Sequence, residues 1–401
     1  MEMFEPASNG CARLPGSGVN GNHRSSAPTA IVMLNLGGPQ TTDDVGTYLE
    51  RMFLDRELIP LPLQERMGKF IARRRTPKVQ KRYEQIGGGS PIYAWTKRQG
   101  ELMVQWLDRL SPETAPHKFY IAFRYADPTT ADALQRMQAD GVKRAVAFTQ
   151  YPQWSCSTTG ASLNELWREL LRLGLRDTFA WSVIDRWPTH DAFVAAMAKK
   201  VCEGLEQFAP DERQSVLLLF SAHSLPLSVI ERGDAYPQEV AATVQAVMER
   251  LNFSNEFLLA YQSDIKPFKW LGPSTERVIR DLGARKRRNV LVVPIAFTSD
   301  HIETLHEIDI EYAELAHAVG IVNFKRAPAL NDDPLFIRAL AEIAAEHLGG
   351  GHLHSSQYKL RCPGCENAMC RTLLNPATDA LRPRAGRPVA AVHPDAASHH
   401  A

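Results

Sequence analysis

Apolar residues in this chain fall into short, nearly continuous runs separated by longer stretches in which they recur every three or four positions. The runs Ile31–Gly37, Phe119–Tyr125, Ala145–Gln150, Ser215–Ser221, Leu258–Gln262 and Asn289–Phe297 have the length of strands. Their lack of polar–apolar alternation predicts strands buried on both faces. The amphipathic stretches Trp95–Leu110, Thr130–Asp140, Ser162–Leu173, Asp191–Phe208, Gln238–Leu251, Ile302–Val319 and Pro334–Leu348 predict the helices that cover them. This alternation predicts an α/β fold with parallel sheets. Thr189–Pro210 reads as a bridge between two halves. Each half ends a strand in Phe-Thr, at Phe148-Thr149 and Phe297-Thr298, and opens with a strand entering a loop, Leu34–Pro39 and Phe220–Pro226. Two similar doubly wound lobes are therefore expected, with a ligand site in the cleft beyond the carboxyl ends of their strands.

Composition narrows the function. Of the 401 residues, 44% are hydrophobic and 23% charged, an ordinary globular balance in a chain long enough for two or three domains. Lys and Arg number 46 against 45 Asp and Glu, so the positive excess of a nucleic-acid binder is missing. No apolar run approaches the ~18 residues of a membrane span. Six cysteines are too few for a disulfide scaffold in a chain of this length. Residues 1–29 and 376–401 show no apolar period and read as disordered tails. Arg13 and Arg24 in the first are offset by Glu2 and Glu5, unlike an acid-poor presequence. No phosphate-binding glycine motif follows the first strand; Leu36-Gly37-Gly38-Pro39 and Gly87-Gly88-Gly89-Ser90-Pro91 read as turns.

Four features carry chemistry. In Phe220-Ser221-Ala222-His223-Ser224-Leu225-Pro226, an imidazole closes an apolar strand. It can be structural, or it can accept a proton near neutral pH or bind a metal. In Ser299–Glu311, Ser299 or Asp300 offers an N-cap, and Glu303, Glu307 and Glu311 share a helical face with Asp300 above them. Like charges at this spacing destabilise a helix unless cations compensate, so the face is either solvated or a metal conduit or proton relay. Arg66–Arg82 holds eight basic residues and no acid beside the apolar Met52-Phe53-Leu54 and Leu58–Leu63, which suits a solvated helix, a membrane surface or a flat anionic ligand. Cys362, Cys365 and Cys370 form a Cys-x₂-Cys-x₄-Cys run. That spacing points to zinc or an iron–sulfur cluster, with Cys156 as the best fourth ligand. Cys202 falls in an apolar helix pattern and reads as core, and Cys11 lies in the tail.

Taken together, Leu34–Pro39, Arg73–Pro77, Gly87–Ile92, Phe123–Tyr125, Phe148–Gly160, Ile184–His190, Phe220–Pro226 and Pro294–Leu305 resemble ferrochelatase, the terminal enzyme of haem synthesis, over roughly residues 30–375. The resemblance implies two lobes of four-stranded parallel sheet, 30–188 with a membrane-facing lip and 189–348, followed by a cluster-binding extension at 349–375. His223 matches the family's essential histidine and Glu303 its catalytic partner. Asp300, His301, Glu307 and Glu311 match the polar path leading away from them. Arg124 and Tyr125 match cleft residues on the opposite side of the macrocycle. Arg74, Arg75 and Ser90 match residues near the propionates, with Leu36, Tyr83 and Ser263 as further porphyrin contacts. Met52–Phe70 matches the lip that rests on the bilayer. Cys156, Cys362, Cys365 and Cys370 match the ligands of a [2Fe–2S] cluster in one branch of the family. That branch also implies a homodimer. The implied place is the matrix side of the mitochondrial inner membrane, or a membrane-associated bacterial cytoplasmic enzyme. Two residues depart from the pattern. Leu36 stands where relatives carry Met or Tyr, and His306 where animal relatives often carry Tyr.

The reaction implied is insertion of Fe²⁺ into protoporphyrin IX with loss of two protons. His223 with Glu303 would take the protons, and the Arg124–Tyr125 side would admit the iron. Competing readings are a chelatase for another tetrapyrrole or metal, a porphyrin or haem carrier on a membrane surface, and a small-ligand binding protein stapled by zinc.

Overall fold

The computed structural model describes residues 27–58, 61–263 and 269–351, together with Cys362, Gly364, Cys365, Asn367 and Cys370. The two expected disordered tails and Cys11 lie outside the described residues, apart from residues 27–29. Two four-stranded sheets, parallel throughout, form its frame. The first takes β1 (Thr29–Asn35), β2 (His117–Phe123), β3 (Arg144–Thr149) and β4 (Ala180–Ile184) in the order β2-β1-β3-β4. The second takes β5 (Leu217–His223), β6 (Phe257–Gln262), β7 (Asn289–Pro294) and β8 (Asn323–Arg326) in the corresponding order β6-β5-β7-β8. The α/β alternation in the sequence thus predicts the architecture correctly.

The helices in chain order are α1 (Val45–Leu54), α2 (Gln64–Gln85), α3 (Ile92–Leu110), α4 (Thr130–Ala139), α5 (Ala161–Arg172), α6 (Asp191–Glu206), α7 (Leu227–Glu231), α8 (Tyr236–Arg250), α9 (Thr275–Ala284), α10 (Ala313–Ala318) and α11 (Pro334–Gly350). The expected single helix over Ile302–Val319 is instead a π-helix, Glu303–Tyr312, running into α10.

Strand periodicity decides which side chains meet. Ile31 and Met33 of β1 face one way and Ala30, Val32 and Leu34 the other. The first set joins Val146 and Phe148 of β3, Leu218 and Phe220 of β5, and Leu291 and Val293 of β7 in one core spanning both sheets. Phe193 and Val201 of α6 and Phe336 and Leu340 of α11 fill it. The bridging stretch is therefore a packed helix inside the shared core. Cys202 corrects its expected burial: it is exposed, because its neighbour Val201 takes the inward direction on α6. Helices α1 and α2 carry a separate small core of Val45, Leu49, Phe53, Ala72 and Tyr83.

The two glycine turns interlock. The Ser90 N–H donates to the Pro39 carbonyl at 2.7 Å, and Gly37 holds φ +77°. A Cβ on Gly89 would lie 2.0 Å from the Gln40 carbonyl oxygen. Gly89→Ala should therefore cost about 2 kcal/mol of stability. Thermal unfolding checks this, and an unchanged Tm would mean that the turns part freely.

Candidate active site

In an open doubly wound sheet the crevice lies where strand order reverses, beyond the carboxyl ends. Here the reversals fall between β1 and β3 and between β5 and β7, and both open onto the same cleft. Asn35, Leu36 and Gly37 follow or end β1, and Gln150 and Tyr151 follow β3. His223 ends β5, and Ala296, Phe297, Thr298 and Ser299 lie just beyond β7. Tyr48, Tyr83, Ser90, Tyr236, His301 and Glu303 line the remainder. The space between these residues, open solvent included, is about 930 Å³.

His223 is fixed by its strand. It pairs in register with Gln262 of β6, and its carbonyl accepts the Tyr236 hydroxyl at 3.0 Å. Its Nδ1 lies 3.1 Å from Glu303 Oε2, and His301 Nε2 lies 3.6 Å from the same oxygen. Burial alone would push the Glu303 carboxyl up, but the two imidazoles outweigh it and hold the group well below the usual carboxylate range. Burial would likewise push His223 down; the Glu303 charge and hydrogen bond overcome this and raise it. Each member of the pair thus favours the charged form of the other, in a cleft that keeps both half-buried.

The acid ladder resolves into three environments. Glu303 faces the cleft between two histidines. Glu307 accepts from the Ser263 N–H at 2.8 Å, the Ser263 hydroxyl at 2.5 Å, Gln262 Nε2 at 3.1 Å and the Tyr312 hydroxyl at 2.9 Å. Burial and the neighbouring Glu303 charge nevertheless raise it. Glu311 pairs with Arg82 at 2.6 Å near the surface. The i,i+4 repulsion that the sequence predicts is thus answered at each step. The hydrogen-bond pattern of a π-helix, one residue longer than that of an α-helix, is characteristic of functional sites. Asp300 stands apart from the ladder: Arg326 pairs with it at 3.1 Å, and Asn331 and Thr304 donate to it. His306 Nε2 meets Gln85 Oε1 at 2.7 Å.

The other expected site residues divide. Leu36, Tyr83 and Ser90 line the cleft, and the Leu36 N–H donates to the Tyr151 hydroxyl at 2.7 Å. Ser263 holds Glu307 and is absent from the described lining. Arg74 and Arg75 lie on α2 outside that lining, with the Arg75 guanidinium stacked over Phe53. Arg124 and Tyr125 are buried behind the wall. The Arg124 guanidinium pairs with Asp55 and Glu57, and the Tyr125 hydroxyl donates to Asp55 at 2.5 Å. The Tyr125 ring meets Tyr48 edge-on at 6.3 Å, and Tyr48 lines the cleft.

Cys362 and Cys370 are buried and Cys365 partly so. The loop is pinned by the Gly364 N–H donating to the Arg232 carbonyl at 3.0 Å. A Cβ on Gly364 would stand 3.1 Å from Arg232 Cα, so glycine permits the close approach. The Cys156 N–H donates to Asp234 at 2.7 Å, two residues from Arg232. Burial and Asp234 push the Cys156 thiol up. Among the described residues no three His, Cys, Asp or Glu side chains converge as a metal site.

Sequence reasoning misses Tyr48, Tyr151, Tyr236 and Gln262. Tyr151 follows the apolar run Ala145–Gln150 and was findable by the rule that singles out His223. Tyr48 and Tyr236 sit on helices, where the sequence carries no such signal.

A ferrochelatase family profile matches residues 28–348. Mitochondrial ferrochelatase of Bos taurus is 54% identical over 344 residues, 86% of this chain and 83% of its own. That of Schizosaccharomyces pombe is 49% identical over 362 residues, 90% of this chain and 85% of its own. Among solved structures, SirB from Bacillus subtilis with Fe³⁺ is 13% identical at a TM-score of 0.46, covering 81% of this chain and 98% of that one. A profile match over residues 28–348, with relatives at this identity, shows that the chain belongs to the ferrochelatase family.

Proposed function

We propose that the cleft holds protoporphyrin IX and that His223, backed by Glu303, accepts its pyrrole protons as Fe²⁺ is inserted. As a ferrochelatase, a metal chelatase, the chain makes protohaem from these two substrates. The observation that carries the site assignment is the His223–Glu303 contact of 3.1 Å inside a cleft built from both switch points. A planar porphyrin keeps its N–H protons in the ring plane, so the cleft must favour a bent macrocycle. Two N–H bonds break, two protons leave and Fe²⁺ takes four ring nitrogens; no electron is transferred. The first proton passes to His223 and its charge is offset by Glu303. Gln262 bridges the next stage, donating to the Glu303 carbonyl and to Glu307, both at 3.1 Å. A raised Glu307 can hold a proton on the way out towards Glu311 and Arg82. Iron enters from the opposite wall, backed by Arg124 and Tyr125. His301 positions Glu303 at the start of the ladder, with Asp300 held beside it by Arg326. Ser90, Leu36 and Tyr83 are the porphyrin contacts, whereas Arg74, Arg75 and Ser263 lie outside the cleft lining. Anaerobic mixing of the protein, protoporphyrin IX in detergent and Fe²⁺ tests this. Rapid loss of porphyrin fluorescence is expected, whereas tight binding without insertion would favour a carrier.

In this reading 30–188 and 189–348 are the two chelatase lobes and 349–375 the cluster-binding extension. Cys156, Cys362, Cys365 and Cys370 would hold a [2Fe–2S] cluster. Soft thiolates suit it. The cluster would supply a structural tie or a sensor, with no part in the insertion chemistry. Cys365→Ser should abolish the visible cluster absorbance and lower Tm; intact absorbance would remove Cys365 from the ligand set.

The exposed Leu63, Met67 and Phe70 beside the basic face of α2 support peripheral contact with an anionic bilayer. Among the described residues no helix is long and apolar enough to cross a membrane. The relatives named as mitochondrial support a mitochondrial location. The matrix side of the inner membrane and a homodimer complete the reading on the family resemblance alone.

A further inference from the structure

The Glu57 carboxylate collects partners from three distant parts of the chain. Its Oε2 accepts from Arg124 Nη2 at 2.8 Å, behind the cleft wall. Its Oε1 accepts from Asn164 Nδ2 at 3.1 Å and Arg168 Nη1 at 3.1 Å, both on α5, the helix that follows the Cys156 segment. The same Oε1 accepts from Asn367 Nδ2 at 3.2 Å, between Cys365 and Cys370. The Glu57 N–H donates to Asp55 Oδ1 at 2.8 Å, and the other oxygen of Asp55 takes the Tyr125 hydroxyl. Tyr125 in turn packs against the cleft-lining Tyr48. The Cys362–Cys370 segment and helix α5 therefore reach one carboxylate, and that carboxylate reaches the cleft through Arg124 and Asp55.

We propose that Glu57 is a positioning residue that couples the docking of the cysteine loop to the porphyrin-facing wall. The proposal rests on the reading of the cleft as the porphyrin site. A loop docked through Asn367 fixes Glu57, which fixes Arg124, Asp55 and Tyr125. With the loop undocked, Glu57 loses one of its two amide donors and the wall loosens. Coupling of this kind is reciprocal: a ligand that needs the ordered wall must also favour the docked loop. Asn367 is the place to cut the link, because its side-chain amide reaches Glu57 and it is absent from the cleft lining.

The test uses the full chain as purified. Protoporphyrin IX affinity is read by fluorescence titration, and docking by amide hydrogen exchange of the peptide spanning Cys362–Cys370, with and without porphyrin. In the wild type, porphyrin should slow exchange in that peptide several-fold. Asn367→Leu should weaken porphyrin binding about five- to tenfold and abolish the slowing. Asn367→Asp, which faces Glu57 with a second negative charge, should do so more strongly. Asn367→Gln, which keeps the amide, should restore both in part and guards against a loop that simply misfolds. Glu57→Gln should loosen loop and wall together. Wild-type affinity and wild-type slowing in Asn367→Leu would overturn the coupling. The underlying reading fails separately: if wild-type protein neither binds nor metallates protoporphyrin, the cleft assignment falls and the coupling with it. Lack of acid-labile sulfide would remove only the cluster, since neither readout uses its absorbance.

Discussion

Replacing His223 by alanine is expected to lower iron insertion by about a thousandfold or more while leaving protoporphyrin affinity within a few-fold of wild type. General-base catalysis contributes about 10² to 10⁴ in rate, and the low dielectric of a half-buried cleft places this residue toward the upper part of that range. Its removal spares the fold, because the strand that carries it is anchored by Leu218, Phe220 and Ala222 in the shared core. It spares binding, because Leu36, Tyr48, Tyr83, Tyr151 and Phe297 still supply the aromatic and apolar lining. Anaerobic single-turnover kinetics, with fluorescence titration alongside, separate the two quantities. Near-normal turnover in the variant would return His223 to a structural role.

Glu303→Gln should lower turnover about a hundredfold and also move its pH dependence, which loss of packing would not do. In the wild type Glu303 raises His223, so the neutral base appears only above the ordinary histidine value of 6.5. The acid limb of kcat/KM should accordingly lie above pH 6.5. With Gln at 303 the attraction is gone and burial dominates, so the limb should move below that value. The same pair links stability to pH. His223 is raised on folding, so its contribution is complete below 6.5 and is lost as pH rises through its folded value. Glu303 is depressed, so its contribution is complete above 4.5 and is lost as pH falls through its folded value. Both act in full between about 4.5 and 6.5. Glu303→Gln should therefore destabilise most in that window, and equal loss of Tm at all pH values would reject the ion pair.

The two sheets were legible because their central strands are buried on both faces, and such strands announce themselves as unbroken apolar runs. The edge strands β2 and β6 were found, but β4 and β8 escaped: β4, Ala180–Ile184, is short and its first residues alternate half-buried with buried. The sequence of β8, Asn323–Arg326, is mostly polar, and all four residues are half-buried. His223 and Glu303 were legible because each stands just beyond a buried strand. The π geometry was not, since the same spacing of Glu303, Glu307 and Glu311 satisfies an α-helix. Glu57 escaped for a different reason. Its partners Arg124, Asn164 and Asn367 lie 67, 107 and 310 residues away, beyond the reach of any local pattern.

The core shared by both sheets also governs how a rigid, flat macrocycle gains admission. Swinging one half of the molecule away from the other would tear that core and wet Phe148, Phe220 and Phe336 together, at roughly 25 cal/mol for each Å² exposed. The arm of α1 and α2 has its own small apolar centre and carries Tyr48 and Tyr83 into the cleft. Displacing it leaves the main core intact. The two sheets are thus held by one core and the arm by another, and the exposed Leu63, Met67 and Phe70 sit on the arm. A bilayer pressed against those side chains would touch the doorway itself.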